Sequence, residues 1–313
     1  MALGYAADAL TTPEFDADGF RRLGRFLLRP LWLAPVACAL IVTTLYPFVF
    51  LVALSLSKSS LGKPFRAFAG LKNYALALGD GEFIASLLRT VAYALLSSAI
   101  QVAAGLALAL LLFTLLKGGR FLLSLFLLPL MTPPVMVGVA WKLILAPAGG
   151  LLNGTLLRLG LVDEPVSFLG SAALAWASIA LADLWQWTPF VAILCFAALS
   201  SLPEGVDDAA RLDGAGPFER FWYITLPLIA APLAAIFLIK LIFAFKLFDL
   251  TYILTYGGPG FATTTTGFSI FRLSMQQFEV ARAAAETLIF AALIGLVTLP
   301  VVRLHRALER REA

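Results

Sequence analysis

Long uncharged or nearly uncharged runs alternate with short polar segments along this chain. The runs extend from Leu31 to Leu56, Thr90 to Leu116, Phe121 to Leu145, Ala172 to Ser200, Phe221 to Thr255 at its widest, and Ala283 to Val302. A helix rises 1.5 Å per residue, so about 20 residues cross a hydrocarbon core of about 30 Å. Each run is long enough. The pattern predicts an all-α membrane protein with six transmembrane helices, an even number that puts both termini on one side. The runs are continuous instead of alternating, which excludes a membrane β-barrel. The first run exceeds the roughly 7–15 apolar residues of a cleaved signal peptide. Pro35 before Cys38 is also a poor fit to a lipoprotein signal, so this run is expected to be an uncleaved anchor.

Composition agrees with that pattern. Hydrophobic residues make up 61% of the 313 residues and charged residues 13%, with a mean hydropathy of +0.92. A soluble domain carries roughly 25% charged residues. Cys38 and Cys195 both sit in apolar runs, and the single histidine, His305, lies in a basic tail, so neither a disulfide framework nor a metal site is expected. The basic excess, a net charge of +4, lies largely beside hydrophobic runs, which fits orientation in a bilayer better than nucleic-acid binding. With the N-terminus in the cytoplasm, inside segments hold 12 Lys and Arg and outside segments eight. Arginines 21, 22, 25 and 29 and the tail Arg303, Arg306, Arg310 and Arg311 favour that orientation, whereas Lys58, Lys63, Arg66 and Lys72 in the first outer loop oppose it. The expected organisation is a cytoplasmic tail over 1–30, a membrane domain over 31–303 containing a cytoplasmic loop at 201–227, and a second tail over 304–313. No internal repeat supports an inverted-repeat carrier. No G-x-x-x-x-G-K-[ST] phosphate loop occurs, so the chain is not expected to hydrolyse ATP.

The loop between the fourth and fifth runs is the most informative polar segment. Pro203 suits the first turn of a short helix, and Glu204, Asp207 and Asp208 load its N-terminal half with favourable negative charge. Ala209 and Ala210 leave a face without bulk, and Gly214 fits the left-handed position that ends a helix. Gly216-Pro217 restarts the chain, with Phe218, Phe221 and Trp222 giving the second half an apolar face. A compact helix–turn–helix at the membrane surface is expected.

The same residues carry a resemblance. Asp208-Ala209-Ala210, three residues, Gly214, nine residues and Ile224-Thr225-Leu226-Pro227, with Asp213-Gly214-Ala215 in the middle, resemble the EAA loop of ATP-binding-cassette importer permeases. Asp208 stands where that family usually has Glu. Phe68-Ala69-Gly70-Leu71-Lys72-Asn73-Tyr74 is similar to the segment before the second span in the sugar-importer branch. Leu254 to Gly260, followed by Thr263 to Thr266, is similar to a segment that marks the first permease of the maltose and glycerol-3-phosphate type. The resemblance covers residues 30–305. It implies the type I importer permease fold in a bacterial cytoplasmic (inner) membrane. It also implies a heterodimer with a second related permease, two ATPase subunits that use ATP and Mg, and a periplasmic solute-binding protein. This chain itself would bind no cofactor. The loop would be the coupling helix seated in a cleft of the ATPase, through Glu204, Asp207, Asp208, Ala209, Ala210, Asp213, Gly214, Ala215 and Phe221.

Polar residues inside the runs are candidates for a solute path, because each charged group costs roughly 2.5–3.5 kcal/mol on insertion scales. Lys246 and Asp249 are three apart and can face one another on a helix, either lining a path or pinning the end of the span. Asp183, Trp185, Gln186 and Trp187 combine aromatic faces with amide and carboxylate groups, which suits sugar rings and hydroxyls, and equally suits an interfacial aromatic belt. Pro189 is expected to bend that helix. Thr132, beside Pro133-Pro134, and Trp141 belong to a second broken run, and Tyr252 is a further candidate. The chemistry suits a sugar or related polyhydroxylated solute. A stand-alone secondary transporter or channel is the alternative.

Overall fold

A computed structural model of the chain describes residues 34–115, 127–203 and 205–312. The chain divides into two compact units at Ala53/Leu54. The first contributes most of helix α1, Ala34–Ser55, whose Ile41–Leu45 turn is a π-helix.

The second unit opens with a hairpin of β1, Ser57–Ser60, and β2, Lys63–Phe68, paired antiparallel. Helices α2, Lys72–Leu78, and α3, Gly81–Leu115, follow. A helical stretch at 127–131 stops at Thr132–Pro133, because proline cannot donate a backbone bond and restricts the residue before it. Helix α4, Pro134–Ile144, resumes with proline at its first position, and α5 spans Leu151–Arg158. Helix α6, Ala172–Ser200, has the bounds expected from sequence, starting where the Ser171 hydroxyl caps the Leu174 N–H. A short α7, Val206–Leu212, leads to α8, Pro217–Leu228, which meets α9, Ala230–Phe245, at a 69° bend. Helix α10, Thr266–Phe271, and the long α11, Val280–Glu312, complete the unit.

The six expected spans are described only in part. Among the described residues, four helices are long and apolar enough to cross a membrane, namely α1, α3, α6 and α11, and the bent pair α8–α9 makes a fifth candidate. The third expected run is a broken one, in which only the shorter α4 and the 127–131 stretch are described. The fifth run ends early, since α9 stops at Phe245 and a separate π turn occupies Thr251–Thr255. Pro189 does not break α6, which continues through it. The N-terminal arginines, Lys117 and Arg120 lie outside the described residues.

Contacts order the bundle. Helices α3 and α6 lie parallel, with Tyr93 and Gln101 both reaching Asp183 and Phe113 against Phe196. Helix α9 runs opposite to α11, placing Phe245 on Phe290 and the Ala231 carbonyl on His305. One end of the unit therefore carries the hairpin and the starts of α3, α6 and α11, and the other carries α7 and α8. Lipid gives apolar helices little reason to associate, so small residues that allow close packing decide the contacts. Gly105 is such a position, since a Cβ there would lie 2.6 Å from Val191 Cγ1. Buried Ala94, Ala109, Ala182, Ala192, Ala198 and Ala244 serve the same packing.

Candidate functional site

Three helices bring polar groups together in the interior. The Asp183 carboxylate of α6 accepts from Tyr93 Oη at 3.0 Å and Gln101 Nε2 at 2.7 Å, both on α3, and lies 3.5 Å from Lys240 Nζ on α9. The side chains of Lys240 and Asp183 are 2% and 6% exposed, so this is a buried ion pair with two further donors. Such a pair needs those extra bonds, because desolvation otherwise exceeds the Coulombic gain. Lys240 also sits 5.3 Å from the Trp187 ring centroid. Spacing along the chain gave no hint of this pairing, since its partners are 57 residues apart. The signal available was that both are charges inside apolar runs.

Beside the cluster is a cavity of about 280 Å³. Asp183, Gln186, Trp187, Lys246 and Asp249 all line it, so five of the candidate path residues converge on one space. Its outer wall is the break after α9. Lys246 caps that helix and Asp249 lies beyond the break, so the helical facing expected for them does not arise. Among the described residues no ion pair joins the two. Lys246 Nζ instead lies 6.0 Å from the Phe243 ring. The second break contributes through its backbone, since the Thr132 carbonyl accepts from Gln186 Nε2 at 3.0 Å. The Thr132 hydroxyl turns back to Leu128. The Gln186 carbonyl oxygen is buried without a partner among the described residues.

Three candidates lie elsewhere. Trp185 and Trp141 pair edge to face at 6.3 Å, and neither lines the cavity. Tyr252 belongs to an aromatic cluster with Phe248, Tyr256, Phe268 and Phe271, stacked on Phe248 at 5.6 Å.

At the opposite end, the 205–229 segment is a helix–turn–helix with few ties to the bundle. Its first helix starts at Val206, after Gly205 in the left-handed region, so Pro203 precedes it instead of opening it. Glu204 lies outside the described residues. Gly214 has φ +83°, and the Ala215 N–H reaches the Ala210 carbonyl at 3.0 Å, which closes α7 in the manner of a Schellman turn. Asp207 holds Arg211 and Arg220, each at 2.7 Å, and so ties α7 to α8. Ala210 is buried beneath the turn and Ala209 is exposed. Asp208 and Asp213 are exposed, and among the described residues the Asp208 side chain makes no hydrogen bond or ion pair. Ala215 is half-buried. Phe221 faces inward against the core of Leu199 and Ile229, so it anchors the loop. Leu212, Phe218 and Tyr223 remain 90%, 74% and 79% exposed.

Comparison with known proteins identifies this architecture. Residues 101–313 match the family described as binding-protein-dependent transport system inner membrane component. The chain belongs to this family. The trehalose/maltose transport system permease protein MalF of Thermococcus litoralis is 35% identical over 241 residues, covering 77% of this chain and 81% of that protein. The sulfoquinovosyl glycerol transport system permease protein SmoG of Agrobacterium fabrum is 32% identical, covering 91% and 92%. The sn-glycerol-3-phosphate transport system permease protein UgpA of Yersinia pestis is 30% identical, covering 78% and 81%. In fold, the chain matches a bacterial ABC transporter involved in the import of alginate, with a TM-score of 0.81 at 21% identity, covering 93% of this chain and 99% of that one. The chain is thus an inner-membrane transport component with the ABC importer permease fold, and a stand-alone carrier finds no support in these comparisons.

The two further motifs of this permease turn out to be fasteners. Asn73 is buried and donates to the Ser55 and Ser57 carbonyls at 2.7 and 2.9 Å, while Tyr74 and Ser55 share a hydrogen bond of 2.8 Å. These bonds tie α2 to the start of the hairpin. Thr263, Thr264, Thr265 and Thr266 are all fully buried. The Thr266 N–H reaches Thr90 Oγ1 at 2.8 Å, Thr265 Oγ1 reaches the Leu247 carbonyl at 3.0 Å, and Arg89 Nε reaches the Thr264 carbonyl at 3.1 Å. The run joins α3 to the break after α9, and so holds the cavity wall.

Proposed function

We propose that this permease is one transmembrane subunit of an ATP-driven importer that moves a sugar or related polyhydroxylated solute into the cytoplasm. The observation that carries the reading is the convergence of Asp183, Gln186, Trp187, Lys246 and Asp249 on one cavity between broken helices. An aromatic face beside amide and carboxylate groups is the chemistry that holds a ring and its hydroxyls. The relatives are named for trehalose and maltose, sulfoquinovosyl glycerol and glycerol 3-phosphate, all polyhydroxylated.

In this reading the hairpin end faces the periplasm and receives solute from a binding protein. A second, related permease completes the path as a heterodimer. The 205–229 loop, with its acidic tip and exposed Leu212 and Phe218, seats in one of two ATPase subunits, where ATP and Mg are used. ATPase closure then reaches the bundle as a rigid-body push through Phe221 and the bend at Ile229. Solute uptake into vesicles containing the assembled transporter tests this. Uptake should require both ATP and the binding protein. Uptake by this chain alone, without ATPase subunits, would show the reading to be wrong.

A further inference from the structure

We propose that the hairpin end carries a preformed docking groove for an acidic surface of the solute-binding protein. This rests on the reading above that the hairpin end faces the compartment of that protein. A groove of about 530 Å³ lies between the hairpin, α2 and residues 277–282. Lys58, Arg66, Lys72 and Arg282 all line it. Arg282 is already neutralised by Asp80, Glu279 and Glu286. Among the described residues no ion pair reaches Lys58, Arg66 or Lys72, so three cations converge on one open space whose lining carboxylate, Glu279, already faces Arg282.

That concentration works against the orientation of the chain. Basic residues in short loops favour the cytoplasmic side, and those of the 58–72 segment stand in the first outer loop. Folding collects three of them in one groove, where an acidic partner surface gives them a purpose. The walls are also fixed in advance. Asn73 and the β1–β2 ladder hold the hairpin against α2. Phe278, at the rim, has φ +60° and is 52% exposed, and Phe65, beside Arg66, has φ +53°. Aromatic residues held in the left-handed region are backbone outliers of the kind that persist where the surroundings over-determine them, often at binding sites. A rigid groove with a half-exposed aromatic at its rim loses little freedom on docking.

The test uses the complete transporter in nanodiscs of phosphatidylcholine and follows association of its solute-binding protein at increasing salt. Wild type should associate more slowly as salt rises. K58E/R66E/K72E should lower the low-salt association rate about tenfold or more and flatten the salt dependence, because steering by complementary charge acts mainly on encounter. K58R/K72R should keep the wild-type rate, and size exclusion reports whether each complex assembles. An assembled triple variant with wild-type rate and salt dependence overturns the proposal. So does an effect seen only when phosphatidylglycerol is added, which assigns the groove to lipid head groups. A wild-type complex that fails to respond to any binding protein would instead overturn the transport reading on which the groove depends.

Discussion

The Asp183 cluster and the 205–229 loop are both polar interruptions of an apolar chain, and they resolve in opposite ways. In the cluster, Tyr93, Gln101 and Lys240 turn to one carboxylate from two neighbouring helices, and the charges are buried. In the loop, Asp208, Leu212 and Phe218 point to solvent, and the Asp207 ion pairs stay within the segment. The cluster meets its buried charges with partners from the bundle itself, because lipid offers none. The loop leaves Asp208, Leu212 and Phe218 open, the surface that the proposed seat in the ATPase would cover.

The comparison breaks first at Asp183. Asp183→Asn leaves Lys240 buried without a counter-charge, which should cost about 3–5 kcal/mol and appear as loss of assembled protein or a large fall in Tm. Asp183→Asn with Lys240→Met should recover part of that loss. A smaller effect is expected at Gly105. Gly105→Ala places a methyl within 2.6 Å of Val191 and should cost about 1–3 kcal/mol by overpacking, read by thermal unfolding in detergent. Asp208→Ala should change stability by less than about 0.5 kcal/mol, as an exposed substitution, while lowering ATP-driven uptake.

The smallest effect concerns acid. Burial alone would raise the Asp80 carboxyl, but the Arg282 hydrogen bond, the Glu82 and Phe83 N–H groups and the Arg282 charge outweigh it and hold the pKa below its ordinary 3.8. A depressed carboxylate contributes stability above its unfolded pKa, and that contribution is lost as pH falls from there through the folded value. Asp80→Asn should therefore flatten the fall in Tm below about pH 4 and leave a slightly lower Tm at pH 7.

Much of this was legible beforehand where one helix decides the matter. Helix α6 matched its expected bounds because Ser171 and the polar residues after Ser200 mark its ends locally. The left-handed Gly214 was equally readable, since a helix end with Asp-Gly has few alternatives. The Lys240–Asp183 pair was hidden because only the packing of α6 against α9 joins them. Lys246 and Asp249 were misread as helical neighbours because the turn ending α9 is held from outside, by the bond from Thr265 to the Leu247 carbonyl. The Thr263 to Thr266 run was recognised as a motif, but its bonds run to Thr90 and Arg89, more than 170 residues away.

The central claim is that the exposed face of the 205–229 loop transmits work from the ATPase, while Phe221, Leu226 and Ile229 pack on the bundle. Gly214→Leu isolates that claim, because its Cβ would meet no atom within 4 Å and only the left-handed backbone is strained. Uptake and subunit Tm should be measured together on the assembled transporter in vesicles. We expect uptake to fall by about tenfold or more, with the Tm of the isolated subunit lowered by no more than the few degrees that roughly 1–2 kcal/mol of left-handed strain accounts for. Wild-type uptake and wild-type assembly with the ATPase would contradict the account.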